Sequence, residues 1–232
     1  MPREESSLIS EQLLYIMATD YDEAVAEEIS GDVFVISVVD DEENEFMPGV
    51  ISHVDDYELP ENFVRERKVG GGVCTYVLLK ALDSVKPEEG TRKEKLTWAD
   101  ALQMMHNEVE EEGGRQSLPT LSTSRAINIH EERLNLISNS IRGTKRALLV
   151  GAHYQDEEDE NVWLESCHTD VRMMRNHLIH EEGFEKRNIL VLMDDDRHHE
   201  PTKGLILDAL ERMCQLSEEG DSVFFHFSGE LK

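Results

Sequence analysis

At 232 residues with 39% hydrophobic side chains, the chain can form one large α/β domain or two small ones around a real core, which excludes a disordered tail. Fifty acidic against 23 basic residues give a formal net charge of −27, which repels a phosphate backbone and, with no basic patch interleaved with aromatics, excludes nucleic acid as a partner. Three widely spaced cysteines, Cys74, Cys167 and Cys214, without a CxxC pair, argue against a disulfide framework or structural metal and for a reducing, cytoplasmic setting. The amino-terminal stretch is acidic on both sides, unlike a secretory leader, and no apolar run reaches the ~18 residues of a membrane span.

In chain order, residues 7 to 29 show a loose helical pattern that Gly31 stops, making 1–30 an N-terminal helical segment. Val33 to Val39 is a β-branched run of the kind buried in a mostly parallel sheet. Residues 46 to 68 are acidic and without period, which predicts a long loop. Gly70-Gly-Gly72 opens a helix through Val73, Tyr76, Val77, Leu79 and Leu82. Thr97-Trp-Ala-Asp100 has the form of a capping box, with Thr97 as the cap and Asp100 in place of the usual Glu, and predicts a helix running to Gly113. An extended segment follows over Pro119 to Asn128, and residues 130–144 predict a short helix and linker.

The second half is more regular. Strands are expected at Ala147–Gly151, Asn188–Met193 and Ser222–Phe227, separated by helices over Val162–Glu182 and Thr202–Leu216. This alternation predicts right-handed crossovers and an open, mostly parallel sheet with helices on both faces. Sites in such sheets lie at the carboxyl ends of the strands, where His153, Asp194 and Ser228 fall.

Residues 145–232 form a truncated large-subunit-like part, in which 145–229 resemble the large subunit of the metacaspases, caspase-like cysteine peptidases. The likeness runs in order through Lys145-Arg-Ala-Leu-Leu-Val-Gly-Ala-His-Tyr154, Leu164-Glu-Ser-Cys-His-Thr-Asp-Val-Arg172, Asn188-Ile-Leu-Val-Leu-Met-Asp-Asp195 and Gly220-Asp-Ser-Val-Phe-Phe-His-Phe-Ser-Gly229. Residues 31–129 resemble the small subunit through Val33–Asp41, Gly70–Leu79, Thr97–Leu102 and Gln116-Ser-Leu-Pro-Thr-Leu-Ser-Thr-Ser-Arg125. Small before large is the order of the type III metacaspases. The resemblance implies a caspase-like α/β fold and an endopeptidase directed at Arg or Lys sites in protein substrates. It stops at Gly229. Glu230 stands where the family has its catalytic histidine, and the family's next strand, bearing the nucleophilic cysteine in Asp-Ser-Cys-His-Ser, does not appear before Lys232.

The expectation is a chain that lacks the catalytic pair, has no cofactor of its own and is inactive as it stands, calcium being expected of the complete family domain. The other reading is a non-catalytic interaction module that binds basic segments or an intact relative. Without the missing strand, the two parts should dock imperfectly or leave an unpaired edge that favours self-association.

By the same resemblance Cys167, Asp170 and Ser228 match positions lining the substrate pocket. An aspartate there would select Arg or Lys through a charge-assisted contact, whereas the plainer reading of Asp170 is a favourable charge at a helix amino terminus. Glu165-Ser-Cys-His-Thr169 imitates the nucleophile motif, but neighbours on a helix point about 100° apart, so Cys167 and His168 are a poor pair. His226 shares a strand face with Ser228 and reads as structural. Glu230 cannot supply the positive charge that favours a thiolate. Asp194-Asp-Asp-Arg-His-His199 admits a metal or phosphoryl reading, but the partner acids, Asp156 to Glu160, are displaced into a loop.

Overall fold

The computed structural model describes residues 32–38, 50–51, 71–83, 96–111, 119–137, 143–154, 164 and 166–229. The helix expected over residues 7 to 29, the Asp156–Glu160 run and Glu230 lie outside them. In chain order the elements are β1 (Phe34–Val38), β2 (Val50–Ile51), β3 (Gly71–Gly72), α1 (Val73–Asp83), α2 (Trp98–Glu111), β4 (Pro119–Thr123), β5 (Lys145–Gly151), α3 (Cys167–His180), β6 (Ile189–Met193), α4 (Lys203–Gln215) and β7 (Ser222–Ser228). They form two compact units, one from residues 1–45 and 84–134, the other from 46–83 and 135–232.

In the first unit β1 and β4 pair antiparallel, with Ile36 opposite Leu121. Helix α2 packs on β4 and buries Ala101, Leu102, Met105 and Val109, a helical stripe on an otherwise polar segment. Its start is the reciprocal cap that the sequence suggests. The Asp100 backbone N–H donates to Thr97 Oγ1 at 3.1 Å, and Asp100 Oδ2 accepts from the Thr97 N–H at 3.1 Å. Phe34 stacks on Trp98 with ring centroids 5.3 Å apart. Residues 129–137 form turns and not the short helix expected from 130 onward. Asn128 Oδ1 accepts from the His130 N–H at 3.2 Å, an Asx-type turn. Arg133 bridges to Thr97, so the chain is drawn into an extended pairing instead.

The second unit holds a three-stranded parallel sheet in the order β6-β5-β7. The central strand is apolar on both faces because both are covered: Leu148, Leu149 and Val150 are buried. Helix α3 covers the Leu149 face with Val171, Met174 and Leu178. Helix α4 covers the Leu148 face, where Leu148, Val150, Leu192 and Met213 pack with Leu205, Ile206 and Phe227. Gly151 permits the close seating of α3, since a Cβ there would stand 2.9 Å from Val171 Cγ2 and 3.0 Å from the Cys167 carbonyl oxygen. The turn into β7 is set by Gly220 at φ +91° and by Asp221, which accepts from the Thr144 N–H at 2.6 Å and pairs with Arg146.

The sequence treats residues 46 to 68 as loop, yet Val50–Ile51 form a short antiparallel pair with Gly71–Gly72. Two residues are too few to give a periodic signal. Helix α1, which follows directly, packs against α3.

Candidate functional site

Four segments of the second unit meet at the carboxyl ends of its strands. Asp170 lies in the first turn of α3. Its side chain is turned inward, only 1% exposed. Oδ2 accepts from Ser228 Oγ, at the end of β7, at 2.7 Å, and Oδ1 accepts from the Gly72 backbone N–H at 2.7 Å. Thr75, in the first turn of α1, is close enough to favour the charged carboxyl as well. A Cβ at position 72 would collide with the Asp170 carboxylate, so only glycine brings the backbone donor this close. Burial pushes the Asp170 carboxyl up from 3.8 to about 6, against the opposing pull of the donors from Ser228, Gly72 and Thr75.

Cys167, at the start of α3, is buried, and Ser228 and Ser166 are close enough to its thiol to oppose part of the effect of that burial. The three residues singled out by resemblance, Cys167, Asp170 and Ser228, are therefore neighbours, although 58 positions separate Asp170 from Ser228. Burial pushes the Cys167 thiol up to about 11, with the charges of Asp170 and Asp194 adding to it. Cys74 on α1 is raised to about 12, by burial first and by Asp170 second. Neither thiol is poised as a thiolate, the form a nucleophile needs.

His226 lies on the Ser228 face of β7, as strand alternation requires, opposite Leu149. Its Nε2 is 3.1 Å from Thr75 Oγ1, while Nδ1 has no hydrogen-bond partner among the described residues. Burial lowers its pKa to about 4, so the ring is neutral.

Beside this group Asp194 ties three segments together. It accepts from the backbone N–H groups of His153 at 2.9 Å and Tyr154 at 2.6 Å, and His168 Nε2 lies 2.6 Å from Oδ1. Burial works to raise its carboxyl, but these donors prevail and hold it below the usual range. Tyr154 takes the left-handed conformation at φ 61° where the chain leaves β5. Asp195 accepts from the N–H groups of Arg197 and His198 at 3.0 and 2.9 Å. With these carboxylates so engaged, no group of three or more His, Cys, Asp or Glu among the described residues is placed to share a metal ion.

The sequence did not single out Gly72 or Thr75. The only hint was the Gly70-Gly-Gly72 run before α1, which reads equally well as a helix opening.

A parallel sheet flanked by helices, with its polar cluster at the strand ends, defines a caspase-like α/β domain. Residues 145–232 match the family described as metacaspase, peptidase C14 domain. The chain is 33% identical over 179 residues to Metacaspase III c of Phaeodactylum tricornutum, which covers 77% of this chain and 50% of the relative. It is 35% identical over 89 residues to Metacaspase-1A of Aspergillus oryzae, covering 38% of this chain and 20% of the relative. Against Metacaspase-7 of Arabidopsis thaliana it is 37% identical over 86 residues, 37% of this chain and 21% of that protein. Residues 145–232 belong to the metacaspase, or peptidase C14, family, and the chain spans half or less of the length of these relatives.

Proposed function

We propose that this chain carries the basic-residue recognition site of a type III metacaspase-like endopeptidase directed at Arg or Lys, with Asp170 as the selecting carboxylate and Cys167 and Ser228 beside it. The observation that supports this reading is the inward carboxylate of Asp170, 2.7 Å from both Ser228 Oγ and the Gly72 N–H at the mouth of the sheet. An aspartate that served only the helix dipole would need no such partners. Each oxygen takes one of these two donors, which leaves lone pairs for a guanidinium or ammonium group.

Binding, not peptide hydrolysis, is the part of the reaction these residues can perform. Position 230 carries glutamate where the family has histidine, and both site-facing thiols are held protonated. The same site serves the second reading, an interaction module for basic segments, which the net charge of −27 favours by attracting them.

The test is calorimetric binding of a peptide aldehyde ending in Arg against its citrulline analogue at pH 7.5. The arginyl peptide should bind more tightly, and Asp170→Ala should remove a preference worth about 1.5–3 kcal/mol, a hydrogen bond to a charged group. Salt should weaken the contact. Equal binding of both peptides to the wild-type chain would dismiss the reading.

A further inference from the structure

Thr75 and His226 form a hydrogen-bonded line behind Asp170, and donor arithmetic fixes its direction. A carboxylate only accepts, so where Thr75 acts on Asp170 to favour its charged form it does so through its single hydroxyl proton. The Thr75 oxygen can then meet His226 Nε2, 3.1 Å away, only as an acceptor, which places the histidine proton on Nε2. Nδ1 is left as a bare lone pair, and it is the histidine nitrogen with no partner among the described residues. The opposite tautomer would set an N–H donor unmade at Nδ1 and leave the Thr75 proton contested.

We propose that Thr75 and His226 are positioning residues of the basic-residue site: His226 donates through Nε2 to Thr75, which donates to Asp170 and holds that carboxylate charged and oriented for a cationic side chain. This rests on the reading of Asp170 given above. The specificity of the site then extends one layer behind the residues that meet the ligand, onto α1 and the interior of β7. The titratable groups bearing on the carboxyl are Cys74 from α1, Cys167 from its own helix and His226 from β7. Asp194, at the end of β6, acts on Cys167.

The experiment follows the Asp170 carboxyl carbon by NMR as a function of pH in the full chain, with binding of the arginyl and citrullyl peptides measured in parallel. Thr75→Val keeps the shape and removes the donor. It should raise the Asp170 midpoint by about one pH unit, from about 6 to about 7, and cut the arginyl preference about twofold at pH 7, as the charged fraction falls from roughly nine-tenths to half. Thr75→Ser and His226→Gln, which keep a donor at the hydroxyl and at the Nε2 position, should restore wild-type midpoints. His226→Phe should raise the midpoint while leaving Thr75 in place. A Thr75→Val midpoint equal to that of the wild type and of Thr75→Ser would overturn the proposal, and an unchanged midpoint in His226→Phe would remove His226 from it. If the wild-type chain shows no arginyl preference at any pH, the basic-residue reading falls, and the NMR midpoints still decide whether the line of donors controls Asp170.

Discussion

Cys167 and Cys214 differ in what surrounds their sulfur, and the difference can be measured. Cys167 is buried with its thiol pushed up to about 11, and Cys74 is raised to about 12, whereas Cys214 is exposed. Iodoacetamide at pH 7.5 should therefore label Cys214 first, and mass spectrometry should find Cys74 and Cys167 unmodified until the protein is denatured. Labelling of native Cys167 at the rate of Cys214 would restore it as a candidate nucleophile. Asp170 and Ser228 were legible in the sequence because they fall within ordered motifs at strand and helix ends. Gly72 was not, because it acts through a backbone N–H that every residue but proline carries. Its special property is the absence of a Cβ facing a carboxylate 98 positions away.

At the level of elements, the seating of α3 on β5 depends on one missing methyl group. Gly151→Ala would bring a Cβ to 2.9 Å from Val171 and 3.0 Å from the Cys167 carbonyl, so the helix start must move. Chemical denaturation should show a loss of about 1–3 kcal/mol, typical of overpacking. The arginyl preference should fall as well, because Asp170 travels with the helix. A variant as stable as the wild type would mean that α3 has room to shift. Strand β5 was readable from its continuous apolar run, which two covered faces require, and β6 and β7 from similar runs, although Leu190, Val223 and Phe225 on those flanking strands are exposed. The turn at residues 129–137 was not, since a local Asn128 side-chain bond outcompetes a weak helical pattern there.

For the whole molecule, two buried groups bend the pH dependence of stability in opposite directions. Asp170 is raised from 3.8 to about 6, so its contribution is present below pH 3.8 and lost as pH rises through 6. His226 is lowered from 6.5 to about 4, so its contribution is present above 6.5 and lost as pH falls through 4. Over that shared window the two should offset. Urea midpoints of the wild type should change little between pH 4.5 and 6.5, while Asp170→Asn should be more stable at 6.5 than at 4.5. Parallel profiles for the two proteins would show that Asp170 does not titrate there. Below pH 4, Asp194 and Asp195, whose carboxyls are held below the usual range, lose their donors' stabilisation as they protonate.

The interleaving of the two compact units has a consequence in time. The chain contributes to the first unit, passes to the second, returns through residues 84–134 and leaves again. During synthesis β1 must wait for β4, its partner at 119–123, before it can pair. Gly72 emerges early, Asp170 much later, and Ser228 last of the three. At roughly 5–20 residues per second of synthesis, Gly72 precedes Ser228 by many seconds. The cluster around Asp170 is thus among the last features to assemble, and a nascent chain carries most of its acidic residues long before that carboxylate meets the Ser228 hydroxyl.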